Sequence, residues 1–195
     1  IAMSLVTAVG SFGYFISPIF TNYSLANNGW TDTLYYFIIF LVIGFIISYF
    51  VKSPSLTQNI EKPNNQTTTQ ALLEAFKTKS YLLLISGFFV CGFHITLVGT
   101  HVPKYVIDRG LENWTAAAIL SLIGLFNIFG TLGMGYLGTK YKKKNLLSIL
   151  YALRAVSICV FIFSPPSLFN SIIFGFTFGL LWLSTVPPTN GIVAQ

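Results

Sequence analysis

"GMGYLGTKYKKKNLL", residues 133–147, passes from glycines and an aromatic-aliphatic run into Lys140, Lys142, Lys143 and Lys144, then returns at once to leucine. Four of the eleven basic residues stand in this one gap, in a chain whose charged residues make up only 8%. An ordinary soluble domain carries roughly 25%. With 54% hydrophobic residues, nineteen of them Phe, the charge is too sparse to cover a water-facing surface, so the expected solvent is lipid. The net charge of +6 does not point to nucleic acid, because the lysines fall in short gaps between apolar runs, where they carry topological information.

The remaining charges mark out the spans. The first 31 residues carry none, and their apolar block runs to about Phe20. Asp32 and Lys52 bracket a second run, Lys79 and Lys104 a third, and Glu112 and Lys140 a fourth. A fifth extends from Asn145 to Ser164, interrupted only by Arg154, and a sixth from Ser167 to about Val186. Each is about 20 residues or longer, enough for a helix to cross a hydrocarbon core of about 30 Å. The runs do not alternate as strands would, and backbone in lipid must satisfy its own hydrogen bonds. The expectation is an all-α integral membrane protein with six transmembrane helices.

"KSPSLTQNIEKPNNQTTTQ", residues 52–70, reads as a flexible polar linker. "ALLEAFKTK", residues 71–79, places Leu72, Ala75 and Phe76 against Glu74, Lys77 and Lys79, the pattern of a short interfacial helix. If six helices alternate, the linker and the lysine cluster lie on one side. The opposite gaps hold Lys104 and Arg109, offset by Asp108 and Glu112. The positive-inside rule then makes the linker and the cluster cytoplasmic, in a multi-pass protein of the cytoplasmic membrane. Cys91 and Cys159 lie inside apolar segments without a partner at metal-ligand spacing and read as buried small side chains. The chain opens on Ile1 and stops at Gln195 in an apolar context, which reads as a piece of a longer protein.

Gly130, Gly133, Gly135 and Gly138 add small-residue spacing to the fourth run, which permits close helix approach. From Gly135 to Leu147 the sequence resembles the loop signature of the major facilitator superfamily, G-x-L-a-D-r-x-G-r-k-x-x-l. Gly135, Leu137, Gly138, Lys140, Lys143, Lys144 and Leu147 match, while Thr139 and Lys142 depart from it. The resemblance implies a twelve-helix fold of which this chain supplies the fifth to tenth helices. Residues 1–51 would be the last two helices of the N-terminal half, and residues 52–79 the cytoplasmic linker with its interfacial helix. Residues 80–195 would be the first four helices of the C-terminal half. "GSFGYFISP" at 10–18, Gly29-Trp30, residues 80–105 and "LLWLSTVPPTNGIVAQ" at 180–195 are similar to the bacterial monocarboxylate and oxalate–formate transporter branch.

A carrier of this kind needs no covalent chemistry and no cofactor. It needs a polar site near mid-membrane, hinges and usually an ionisable group. Arg154 lies roughly 15 Å along its helix from Lys144, too deep to snorkel fully. Its counter-charge is an anionic substrate, a carboxylate outside this sequence, or polar groups and water. The resemblance places it on the outer, ninth helix. His94 and His101 are seven residues apart, so they share one face of the third helix, which by resemblance lines the central cavity. His94 is either a proton relay or a histidine held by a backbone carbonyl. Asn127 occupies mid-span on the fourth run, followed by Thr131 where the resembled branch often has arginine. Tyr14, Tyr105 and Trp182 read as cavity aromatics or packing groups. Pro18, Pro103, Pro165, Pro166, Pro187 and Pro188 are expected at helix ends. Lys104 and Asp108 have the spacing of a surface ion pair.

These features favour a secondary active transporter of small solutes, with organic anions such as monocarboxylates as cargo and protons as partner. The alternative is a multidrug or amphipathic-solute exporter of the same superfamily. An intramembrane enzyme would need a reactive constellation that the spans lack. A channel or receptor bundle would not need the lysine loop.

Overall fold

The computed structural model describes residues 2–50 and 67–193 of the chain. The described part is helical: α1 (Ala2–Phe50), α2 (Thr68–Lys77), α3 (Lys79–Thr96), a π-helical turn (Leu97–His101), α4 (Val102–Asp108), α5 (Asn113–Lys140), α6 (Lys143–Phe163), α7 (Leu168–Leu181) and α8 (Val186–Val193). The linker expected from residue 52 lies outside the described residues up to 66, and its last residues enter α2.

Five stretches are long and apolar enough to cross a membrane, where the sequence suggested six: Ser4–Phe50, Lys79–Asp108, Asn113–Lys140, Lys143–Phe163 and Leu168–Ile192. The difference lies in the first, which runs 47 residues because helix persists on both sides of Gly29. Gly29 itself is not helical, with φ 78° and ψ −177°, a region open essentially to glycine alone. Ser24 and Thr33 reveal how sharply the chain turns there. Nine residues of straight helix would separate them by about 13 Å, yet their hydroxyls lie 2.8 Å apart and both side chains are buried. Thr33 also donates to the Gly29 carbonyl at 2.7 Å, so one hydroxyl closes the bend. Residues 2–28 and 30–50 are each long enough for one crossing. Pro18, expected at a helix end, lies inside the first of these helices.

Two compact units divide the chain: Ile1–Tyr23 with Phe88–Gln195, and Ser24–Gly87. The second unit contains the Gly29 bend and α2. That short helix starts where Thr67 N–H donates to the Gln70 side chain at 3.1 Å, a capping box, and it leaves Leu72, Leu73 and Phe76 exposed.

In the first unit α5 packs along α7, with α4, α6 and α8 around that pair. Glycine makes the close contact possible. A Cβ on Gly179 would stand 2.9 Å from Ile123, and one on Gly175 3.0 Å from Leu122. Helix association in lipid depends on such approach, because apolar side chains gain nothing by leaving an apolar solvent. Val98, Ile119, Ile123 and Phe178 form the buried centre. Phe161, Phe174, Phe178 and Trp182 make an aromatic ladder with centroid spacings of 4.2, 5.0 and 5.3 Å.

Candidate functional site

The sixth expected span is not one helix. α7 stops at Leu181 and α8 starts at Val186, and the break has a local cause. Pro187 and Pro188 have no N–H to give to the carbonyls four residues earlier, and their rings clash with those carbonyls in a continuous helix. Both are well tolerated in the first turn of α8, whose N–H groups have no intrahelical acceptor anyway. Expected at a helix end, they stand at one, the start of α8, just after the break.

A helix broken inside an apolar solvent must find partners for its freed backbone groups. Here those partners are specific. The Leu180 carbonyl accepts from the Ser184 hydroxyl at 2.6 Å, and the Leu183 carbonyl from the Val186 N–H at 2.9 Å. One Nη of Arg154 donates to the carbonyls of both Leu181 and Trp182. Its other Nη reaches the Cys91 sulfur at 3.6 Å, and Cys91 in turn contacts the Thr185 hydroxyl at 3.3 Å. Tyr151 and Phe178 present ring faces to the guanidinium at 5.5 and 5.9 Å. Arg154 is wholly buried, and no carboxylate among the described residues pairs with it.

Asn127 holds the other side of the break. Its Oδ1 accepts from the Leu183 N–H at 2.8 Å and from the Thr131 hydroxyl at 3.2 Å. Its Nδ2 donates to Ser11 on α1 at 2.6 Å. Asn127 and Thr131 are both fully buried. Near them α1 and α5 meet closely. A Cβ on Gly124 would collide with the backbone at Tyr14 and Phe15, and one on Gly130 with the Leu180 carbonyl.

Tyr14 lies beside the break, its ring 5.9 Å from that of Trp182. Its hydroxyl faces Gly99 of the π-helical turn, 3.7 Å from where a Cβ would stand. His94 is half-buried one turn along α3 from Cys91, and its Nδ1 is buried without a hydrogen-bond partner. His101 does not share its face. The π-helical turn of Leu97–His101 widens the helix between them and advances the register by about one residue, roughly 100°. His101 is exposed. Tyr105 packs edge-on against Phe161 at 5.7 Å, on the aromatic ladder.

The lysine loop links α5 to α6. Gly135 meets α1 so closely that a Cβ there would run into Ser4, whereas Gly133 and Gly138 have open space around them. Leu137 lines an apolar cleft of about 320 Å³ between α5, α6 and the end of α7. Lys140 lies over the Tyr136 ring at 4.6 Å, and Lys143 Nζ donates to the Gly191 carbonyl of α8 at 2.6 Å. Lys142 and Lys144 are exposed.

Residues 1–195 match the Major Facilitator Superfamily. The chain belongs to this superfamily. It is also similar to "MFS transporter asaE" of Aspergillus flavus, 21% identical over 197 residues that cover 100% of this chain and 43% of that protein. The chain therefore spans less than half the length of that relative. No solved structure matches it.

As a superfamily member the chain is a multi-pass membrane protein, and its best-built polar site is the break between α7 and α8. Among the residues singled out from the sequence, Arg154, Asn127 and Tyr14 gather there, and His94 stands one turn away. Ser11, Cys91 and Thr185 complete the site and were not anticipated. Only the Pro-Pro pair inside an apolar run hinted that a break existed. Among the described residues no group of three or more His, Cys, Asp or Glu side chains is placed to hold a metal ion.

Proposed function

We infer that this chain is part of a secondary active transporter of the cytoplasmic membrane that moves small organic anions, monocarboxylates among them, by alternating access with protons. Residues 1–51 and 80–195 supply helices from its two halves, and residues 52–79 join them on the cytoplasmic side. Superfamily membership supports transport in place of catalysis, and the resemblance to the monocarboxylate branch supports the cargo.

The observation that carries the anionic reading is the charge of Arg154. Its hydrogen bonds go to neutral carbonyls and a thiol, so its direct contacts are structural but its positive charge is not cancelled by an ion pair among the described residues. At an effective dielectric constant near 20, a full charge about 10 Å away contributes about 1.7 kcal/mol. At that distance the charge would favour an anion over a neutral solute roughly eighteenfold. His94 is the proton candidate, as a half-buried imidazole whose Nδ1 has no partner.

Uptake by the full-length protein in proteoliposomes tests this reading. Radiolabelled monocarboxylates should accumulate when the lumen is made more alkaline than the bath, and His94→Gln should flatten that pH dependence while equilibrium exchange persists. Uptake of amphipathic cations, with none of monocarboxylates, would refute it and favour the exporter.

A further inference from the structure

We propose that Asn127 is a positioning residue that couples the seam between α1 and α5 to the break between α7 and α8, so that displacement of α1 loosens the break. The inference rests on the transport reading and identifies one part of its moving machinery.

The chemistry of the Asn127 amide fixes its orientation. The Leu183 N–H can only donate, so it must face Oδ1, and Nδ2 must then face α1. There it meets Ser11, whose hydroxyl donates to the Thr7 carbonyl at 2.7 Å and so presents a lone pair to Nδ2. Hydrogen bonds therefore run in one direction, from Leu183 through Asn127 and Ser11 to Thr7. In such a chain each bond polarises the next, and loss of one weakens its neighbours. Asn127 is fully buried, so no water is at hand to replace a lost partner.

A second contact couples the same two elements independently. Tyr14 stands three residues after Ser11, on the same face of α1, and its ring lies against that of Trp182 within the break. One face of α1 thus touches the break twice: at Leu183 through Asn127, and directly at Trp182. Arg154 holds the opposite side through the Leu181 and Trp182 carbonyls and does not touch α1 through any of these bonds. Moving α1 would remove the Tyr14 contact with Trp182 and the Ser11 bond that backs Asn127, and leave the Arg154 bonds in place.

The test is amide hydrogen exchange at Leu183 in the full-length protein in lipid nanodiscs, paired with transport kinetics. Ser11→Ala removes the α1 arm and leaves the Asn127–Leu183 bond in place. It should speed exchange at Leu183 roughly three- to tenfold, the range expected when one hydrogen bond's net contribution is lost. Turnover should change with little change in KM. Ser11→Thr keeps the hydroxyl and should restore both values. Ser171→Ala removes a buried hydroxyl of α7 that bonds only to Ser167, and it should leave Leu183 unaffected. Unchanged exchange in Ser11→Ala, or an equal rise in Ser171→Ala, would overturn the coupling. If exchange responds as expected while no anion is transported, the coupling stands and the cargo assignment falls.

Discussion

Arg154 has two properties that a sequence cannot separate: a charge and a set of donors. Its donors close a broken helix, and a guanidinium suits that task because the two N–H groups of one Nη serve adjacent carbonyls while the other Nη reaches Cys91. Lysine offers a compact ammonium and glutamine a single amide. Arg154→Gln should lower the unfolding free energy by about 2–4 kcal/mol, since it exposes two buried carbonyls to the cost of having no donor. Arg154→Lys should lose about half as much. Thermal unfolding of the purified full-length protein gives the comparison. A protein of unchanged stability with a raised KM would instead make Arg154 a direct substrate ligand. The depth of this residue was legible in the sequence, because a lone charge ten residues past Lys144 has few places to go. Its partners were not legible, because backbone carbonyls carry no residue signature.

At the scale of elements, the bends matter more than the helices. Gly29 turns α1, the widened turn at Leu97–His101 re-registers α3 against α4, and Pro187 with Pro188 splits α7 from α8. The sequence placed the spans well because charge at the ends of apolar runs reports where lipid stops. It placed the bends poorly. Pro187 and Pro188 look like the end of a span when the continuation through Gly191 is short, and Pro18 shows that a proline can also sit inside a helix. A π-helical turn leaves no compositional mark, so the shared face predicted for His94 and His101 was lost. The Gly29 bend can be checked by substitution. Gly29→Ala puts a Cβ on a residue with φ 78° and should cost about 1–3 kcal/mol despite the open space around it. Gly44→Ala, also in open space but with no positive φ, should be neutral or gain up to about 1 kcal/mol. Equal melting temperatures for the two variants would count against the bend.

At the scale of the molecule, polarity is distributed as lipid requires. Ser4, Ser11, Asn127, Thr131, Arg154, Ser184 and Thr185 are buried, while Phe45, Tyr49, Phe89 and Phe163 are exposed. A water-soluble protein would reverse that arrangement. The basic residues follow a second rule: four lysines stand at the turn between α5 and α6, and one of them, Lys143, also ties that turn to α8. Membrane orientation links these observations to the proposed function, because the charge pattern predicts that the residues beside Gly29 and the lysine loop face opposite sides of the membrane.

That arrangement is measured most directly with single cysteines in the full-length protein, after Cys91 and Cys159 are replaced by serine. Asn28→Cys and Asn145→Cys put the probe at two exposed positions, one beside the Gly29 bend and one just past the lysine loop. A membrane-impermeant maleimide should label Asn28→Cys from outside intact cells, and should reach Asn145→Cys only in inside-out vesicles. Labelling of both from the same side would contradict the crossing pattern and the transport reading built on it.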